Sequence, residues 1–563
     1  MTQPFGVPEE FFKGFLRAGS EGWQGLVPNA DGGSQVAVLY LGYLRQQGEL
    51  WARALTGASG QPVEPVITPA RGDRRFGAAE WREHPAYSHC QQSYLLASQL
   101  LEGMVEAAEL DEPTRQRVRF YTRQFIDLMS PANFPASNPE VTQLAYETMG
   151  DSLRRGFENL LGDIRKGSLT ITDEGAFEVG RNVAASEGAV VFENELIQLI
   201  QYAPLTGQVA ARPLLIVPPC INKFYILDLQ PANSFVRFAV EQGHTVFLVS
   251  WRNPDASCAH FTWEDYLQLG IMEAVRAGLE ISAADRLNAL GWCVGGTILS
   301  SALAVMRARG EESVASLTLL TTMLDFTDPG ELGIFIDEAN VAQREEKLGQ
   351  GGLYPGSELG FVFQSLRANE LIWPNVINNY LKGKSPEAFD LLYWNSDTTN
   401  LSGPMYAWYL RNMYLENNLR HPGRLSLCGM PVDLGAIDMP AYVLATQEDH
   451  IVPWKSAYRT TGLLGGDCCF VLGASGHIAG VINPAAKNRR SYWIDGEAGS
   501  EAGQWQASAS EVAGSWWTHW SRWLAAQAGK AKPVPARQKL GNAKYPVIEA
   551  APGRYVRKKA QAS

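Results

Sequence analysis

The sequence predicts an α/β chain: a mainly helical region to about residue 175, then a largely parallel sheet interrupted by a helix-rich insertion. Three observations carry this. From about residue 175, short apolar runs bounded by Gly and Pro alternate with helix-length segments. One run, Leu287 to Trp292, meets the turn Gly291-Trp-Cys293-Val-Gly295-Gly and passes directly into a helical stretch. The alternation then lapses over residues 323–429 and resumes beyond them.

Bulk composition sets the outer limits. A chain of 563 residues predicts two or three domains. Its net charge of −11 argues against general nucleic-acid binding, although nine Lys/Arg against the lone Glu549 leave +8 from Leu524 onward. Seven scattered cysteines, odd in number and without zinc-ligand spacing, predict a reducing cytoplasm with no disulfide framework and no metal. Residues 1–8 lack a basic-then-apolar leader, and no apolar run is long enough for a transmembrane segment.

The elements follow in order. Residues 9–16 form an amphipathic patch, and residues 94–108, 113–129 and 141–165 read as helices. His84 and His89 have no partners in sequence and read as structural or surface residues. Residues 177–183 and 189–192 read as opening strands. Residues 212–218, 244–251, 287–292 and 314–321 are apolar enough for strands buried on both faces. Residues 439–445 and 468–472 are then the final two strands. The stretch 361–414 holds eleven aromatic residues, which suits a cap over a water-excluding site. The expected domains are thus 1–175 (helical), 176–530 (sheet, with the cap at 323–429) and 531–563 (a basic, Pro-containing tail).

A strand running through Gly-x-Cys-x-Gly into a helix is the context of a nucleophile elbow, with sulfur in place of the usual hydroxyl. The glycines leave room for a strained turn that lifts Cys293 off the strand tip, and the Val294 N–H then faces an oxyanion. The loop Pro219-Cys220-Ile221 follows another strand and suits a second backbone donor, near Cys220 or Ile221. The 439–445 strand ends at Glu448-Asp449-His450, and the 468–472 strand at Gly476-His477. The order nucleophile, acid, histidine is that of the α/β-hydrolase fold. Pattern alone leaves the acid open among those neighbours. Lys487, Arg489 and Arg490 lie just beyond, either as a solvated surface cluster or as a phosphate clamp.

With these motifs assembled, the chain resembles the polyhydroxyalkanoate synthases, closest to the class I, short-chain type. The resemblance rests on the elbow and on Val217-Pro-Pro-Cys-Ile-Asn-Lys223. It also rests on Phe247-Leu-Val-Ser-Trp-Arg-Asn-Pro-Asp255, Glu448-Asp-His-Ile-Val-Pro-Trp454, the stretch from Gly473 to Pro484, and Ala551-Pro-Gly-Arg-Tyr-Val556. It implies an α/β-hydrolase catalytic domain with Cys293, Asp449 and His477 as catalytic residues, and no cofactor. The implied substrate is an (R)-3-hydroxyacyl-CoA, polymerised with release of coenzyme A. The implied partners are the growing polyester chain, the granule surface, granule-associated proteins and a second copy in a homodimer, with cytoplasmic, granule-associated localisation. On this reading Val294 and Ile221 supply oxyanion donors, Ala479 beside His477 tunes monomer choice, and Arg490 meets coenzyme A phosphate. A cysteine hydrolase or acyl-CoA thioesterase is the alternative, and a non-catalytic granule scaffold a third.

Overall fold

A computed structural model describes residues 7–26, 32–58, 63–499, 501–533 and 540–560. The described residues divide into two compact units, one of residues 1–173 with 358–387, the other of residues 174–357 with 388–563. Part of the aromatic insertion, 358–387, therefore belongs to the helical unit rather than to the sheet unit. The reason is local packing: Phe361 meets Phe11 edge-to-face at 5.1 Å, and Asn379 donates to the Thr170 carbonyl at 2.7 Å.

The helical unit is built on helices Glu9–Leu26, Gly32–Ala58, Pro85–Ala107 and Glu112–Leu128. The last begins at Asp111, whose carboxylate accepts from the Thr114 N–H at 2.9 Å as an N-cap. The helix expected over 141–165 is two, Pro139–Glu147 and Asp151–Lys166. They part where Met149 and Gly150 turn left-handed, at φ 49° and 86°.

The other unit is organised around one eleven-stranded sheet. In chain order its strands are β1 (Gly188–Glu193), β2 (Ile197–Tyr202), β3 (Leu214–Val217), β4 (Val246–Trp251), β5 (Leu287–Trp292) and β6 (Val314–Leu320). They continue with β7 (Ala441–Thr446), β8 (Cys468–Gly473), β9 (Ser491–Ile494), β10 (Ser510–Ala513) and β11 (Glu549–Ala550). Across the sheet they run β10-β9-β8-β7-β6-β5-β3-β4-β2-β1-β11. The six from β4 to β8 are mutually parallel, and antiparallel strands extend both edges. Strands β3 to β7 are buried along their whole length, as their continuous apolar runs require. Strand order reverses between β3 and β5, so the loops leaving these two strands open a crevice at their carboxyl ends.

Several expectations need correction. Residues 177–183 form a turn with a single Val179–Val183 bridge, because Gly180 sits at φ 91°. Strand β8 is not the last: β9, β10 and β11 follow, each only two to four residues long, and β10 and β11 are partly exposed. The described parts of the basic segment 531–563 pack on the sheet unit. Ala531–Pro533 pairs with Gln208–Ala210, β11 pairs with β1, and Val556 is buried in the core. Residues 534–539 and 561–563 lie outside the described residues.

Two glycines of one helical segment test the backbone reading. Gly150→Ala is expected to destabilise by about 1 kcal/mol, because a side chain is strained at its positive φ. Gly162→Ala, exposed mid-helix with open space around it, is expected to stabilise by about 0.5–1 kcal/mol. Urea-denaturation midpoints moving in opposite directions check this.

Candidate active site

Cys293 sits where β5 ends and the helix Val294–Ala308 begins. Its backbone is held at φ 52°, ψ −130°, a conformation that surrounding structure must enforce. The neighbours show how. The Cys293 N–H donates to the Leu320 carbonyl at the tip of β6, at 2.9 Å, and its own carbonyl accepts from Gly296 at 2.9 Å. A Cβ on Gly295 would stand 2.5 Å from the carbonyl oxygens of both Val217 and Pro218, and one on Gly296 would strike the Thr322 hydroxyl. Glycine is required here because helix and β3 exit loop touch backbone to backbone. Val294 opens the helix, so its N–H has no carbonyl one turn back to bond.

His477 lies on the loop after β8 and is 5 % exposed. Its Nδ1 meets Asp449 Oδ2 at 2.7 Å, and Asp449 Oδ1 accepts from the N–H groups of Ile451 and Val452 at 2.9 and 2.8 Å. The Thr446 hydroxyl adds a longer bond to Oδ2. The buried carboxylate is thus fully engaged and aimed at one ring nitrogen. Burial works against the charged imidazole, but the Asp449 charge, the Cys293 sulfur and hydrogen bonds from both outweigh it, raising the His477 pKa to about 10. The structure thereby brings Cys293, His477 and Asp449 together. A proton leaving the Cys293 sulfur finds an imidazole already braced to hold positive charge.

The His477 loop is braced from behind. Trp516 and Trp517, on the helix Trp516–Gln527, donate their indole N–H groups to the carbonyls of Gly480 and Val481 at 3.0 and 2.9 Å. Trp292 is buried beside the ring of His477, its indole N–H held by the Thr321 hydroxyl at 2.9 Å. Ala479, partly buried, is two residues from His477, and Arg490 donates to its carbonyl. Arg490 is exposed, as are Lys487 and Arg489. Cys220 follows β3 and is buried; burial, its own backbone contact and the nearby Cys293 leave its pKa at about 12. That argues against Cys220 as a competing nucleophile. Ile221, next along, is half-buried.

The insertion contributes what sequence spacing did not single out. Tyr409 and Tyr414, both partly buried, pack edge-to-face, 5.3 Å apart, with Phe326 against both. Burial raises both phenols, and the charge of Cys293 adds to it, so both lie within electrostatic reach of the sulfur. Tyr409 also stacks on Trp263 at 5.2 Å. Trp263 lies in a different segment, so the pairing leaves no local sequence signal.

A parallel sheet carrying an elbow, an acid and a histidine at successive strand ends defines the α/β-hydrolase class, and residues 213–484 match the family described as alpha/beta hydrolase fold. Residues 72–239 match the family described as Poly-beta-hydroxybutyrate polymerase (PhaC) N-terminus. The chain is 51 % identical to the poly(3-hydroxyalkanoate) polymerase subunit PhaC of Cupriavidus necator, over 99 % of this chain and 98 % of that one. It is 42 % identical to the subunit of Rhizobium meliloti (91 % and 84 % covered) and 43 % to the polymerase of Methylorubrum extorquens (91 % and 85 %). The chain belongs to the poly(3-hydroxyalkanoate) polymerase family, enzymes of acyltransferase type.

The raised histidine has a stability consequence. A folded pKa of about 10, above the roughly 6.5 of a free imidazole, gives a contribution fully present below pH 6.5 and lost as pH rises towards 10. The stability difference between the native chain and His477→Gln is therefore expected to shrink between pH 6 and 10 in urea titrations. A difference constant with pH would show that the folded ring holds no extra proton.

Proposed function

We propose that the chain polymerises (R)-3-hydroxyacyl groups, short-chain ones such as 3-hydroxybutyryl, from their coenzyme A thioesters, releasing coenzyme A and carrying the chain on Cys293. The observation that carries this is the strained cysteine facing a histidine already hydrogen-bonded to a buried carboxylate. The thiol proton rests on His477 as an imidazolium, and the paired Cys293 thiolate adds to the substrate carbonyl, the oxyanion lying against the N–H groups of Val294 and Ile221. The tetrahedral adduct collapses by expelling coenzyme A, whose sulfur takes the proton from His477. One thioester has replaced another, so the acyl group keeps its activation, which an oxygen ester would lose. The 3-hydroxyl of the next hydroxyacyl-CoA then gives its proton to His477–Asp449 and attacks the acyl carbon, expelling the Cys293 thiolate; the lengthened chain, now a coenzyme A thioester, reloads onto Cys293 by the same exchange, and coenzyme A leaves with the proton held on His477.

Water competes for that carbon at tens of molar, while a well-placed hydroxyl has an effective molarity of about 10⁵–10⁸ M. Selectivity therefore depends on a dry, ordered chamber. Tyr409, Tyr414 and Phe326 supply apolar surface around the sulfur, in keeping with a cap. In the helical unit, Val38, Leu41, Trp51 and Leu55 of one helix are exposed, which supports attachment to a granule surface or to a second copy in a homodimer. Cytoplasmic granules are the setting this reading gives. No helix of the described residues is long and apolar enough to cross a membrane.

Coenzyme A release and polymer formation from 3-hydroxybutyryl-CoA test the reading together. Cys293→Ala is expected to lose at least about 10⁴-fold of both. Free 3-hydroxybutyrate without polymer would favour the thioesterase alternative. Ala479→Leu is expected to alter the ratio of rates on C4 and longer monomers, and an unchanged ratio would remove Ala479 from monomer selection.

A further inference from the structure

The loop after β3 is framed by two distant parts of the chain. On one side, the Thr399 hydroxyl donates to the Cys220 carbonyl at 2.9 Å, with both groups buried. Asn222 bridges to Thr398, and the Trp394 indole donates to the Lys223 carbonyl at 2.7 Å. On the other side stands the final turn of the described chain. Lys223 is 3 % exposed, and its Nζ donates to the Val556 carbonyl at 3.0 Å and to that of Lys558. A buried ammonium is costly unless hydrogen-bonded, so these carbonyls tie loop and terminus together. The terminus is anchored in turn. Lys559 pairs with Asp397 at 3.0 Å, Lys558 with Asp255, and Asn253 donates to the Lys558 carbonyl at 3.2 Å.

One geometric fact gives the frame a chemical consequence. The Cys220 carbonyl and the Ile221 N–H belong to one trans peptide unit and so point in opposite directions. Whatever holds the carbonyl aims the N–H. We infer that Thr399 and Lys223 are positioning residues: Thr399 orients the Cys220–Ile221 peptide so that its N–H faces the reacting acyl oxygen, and Lys223, locked by the C-terminal turn, holds the loop in register. This gives the Ala551 to Val556 motif a role, since it delivers one of the two carbonyls that seat Lys223, Lys558 just beyond it supplying the other. The inference rests on the proposed function, in which the Ile221 N–H is an oxyanion donor.

Two reactions of the same sulfur separate positioning from general damage. Acyl transfer develops an oxyanion, whereas alkylation of Cys293 by iodoacetamide does not. Thr399→Val keeps the side-chain shape and removes the donor. It is expected to lower kcat for coenzyme A release from 3-hydroxybutyryl-CoA about 10- to 100-fold, less than outright removal of an oxyanion donor, with KM changed less than threefold. The alkylation rate should stay within twofold of the native chain, and Thr399→Ser, which keeps the hydroxyl, should retain most of kcat. Lys223→Met should show the same split and decides the matter if Thr399→Val does not fold. Native kcat in the folded variants, or alkylation falling in step with kcat, would overturn the inference. Cys293→Ala run alongside keeps the two readings apart: coenzyme A release persisting there defeats the proposed function itself, whereas an inactive Cys293→Ala with native-like Thr399→Val defeats only the frame.

Discussion

The catalytic unit depends first on a backbone constraint, the left-handed turn at Cys293. A cysteine does not hold φ 52° unaided; the surroundings must leave it no alternative. Here the constraint is steric. Gly295 lies against the carbonyls that end β3, Gly296 against Thr322, and the Cys293 N–H is taken by β6. The parallel sheet thus fixes both the position of the sulfur and the direction of the helix that follows it, whose first N–H lies beside the sulfur. Electrostatics can then work at short range in a site from which water is largely excluded.

The histidine side is built from different material. His477 lies on a loop, and loops hold position only when their backbone groups are satisfied. Two tryptophan indoles from the Trp516–Gln527 helix take the carbonyls of Gly480 and Val481, and the buried Asp449 takes the ring. The Trp-rich segment is therefore more than core filling: it holds the backbone of the loop that carries the imidazole. The β3 loop follows the same logic, with its carbonyls held by Thr399 and Trp394.

Much of the sheet was legible because strands buried on both faces read as plain apolar runs, as in Leu214–Val217 or Val246–Trp251. Strand β2 is fully buried although Gln198 and Gln201 interrupt its apolar pattern; Gln198 is satisfied by Glu193 across the hairpin and by the distant Glu549, a partner no local reading can supply. The edge strands β9 to β11 span only two to four residues each, too short for a periodic pattern to stand out. Within the site, Cys293 and Val294 were legible from glycine spacing, and His477 from its place after a strand. Asp449, with Glu448 and His450 beside it, was singled out only through the family resemblance. Tyr409, Tyr414 and Thr399 come from the insertion and approach the site through tertiary packing, so their spacing from Cys293 carries no motif.

The central claim is that the growing chain is held on one sulfur. The most direct test is to mix the protein with 3-hydroxybutyryl-CoA, quench in acid within the first turnovers, digest, and weigh the peptide containing residue 293. The account predicts a mass increase of one or more 3-hydroxybutyryl units on Cys293, absent from Cys293→Ala and removed by hydroxylamine. Polymer accumulating while that peptide stays unmodified, or acyl groups found on another residue, would contradict it.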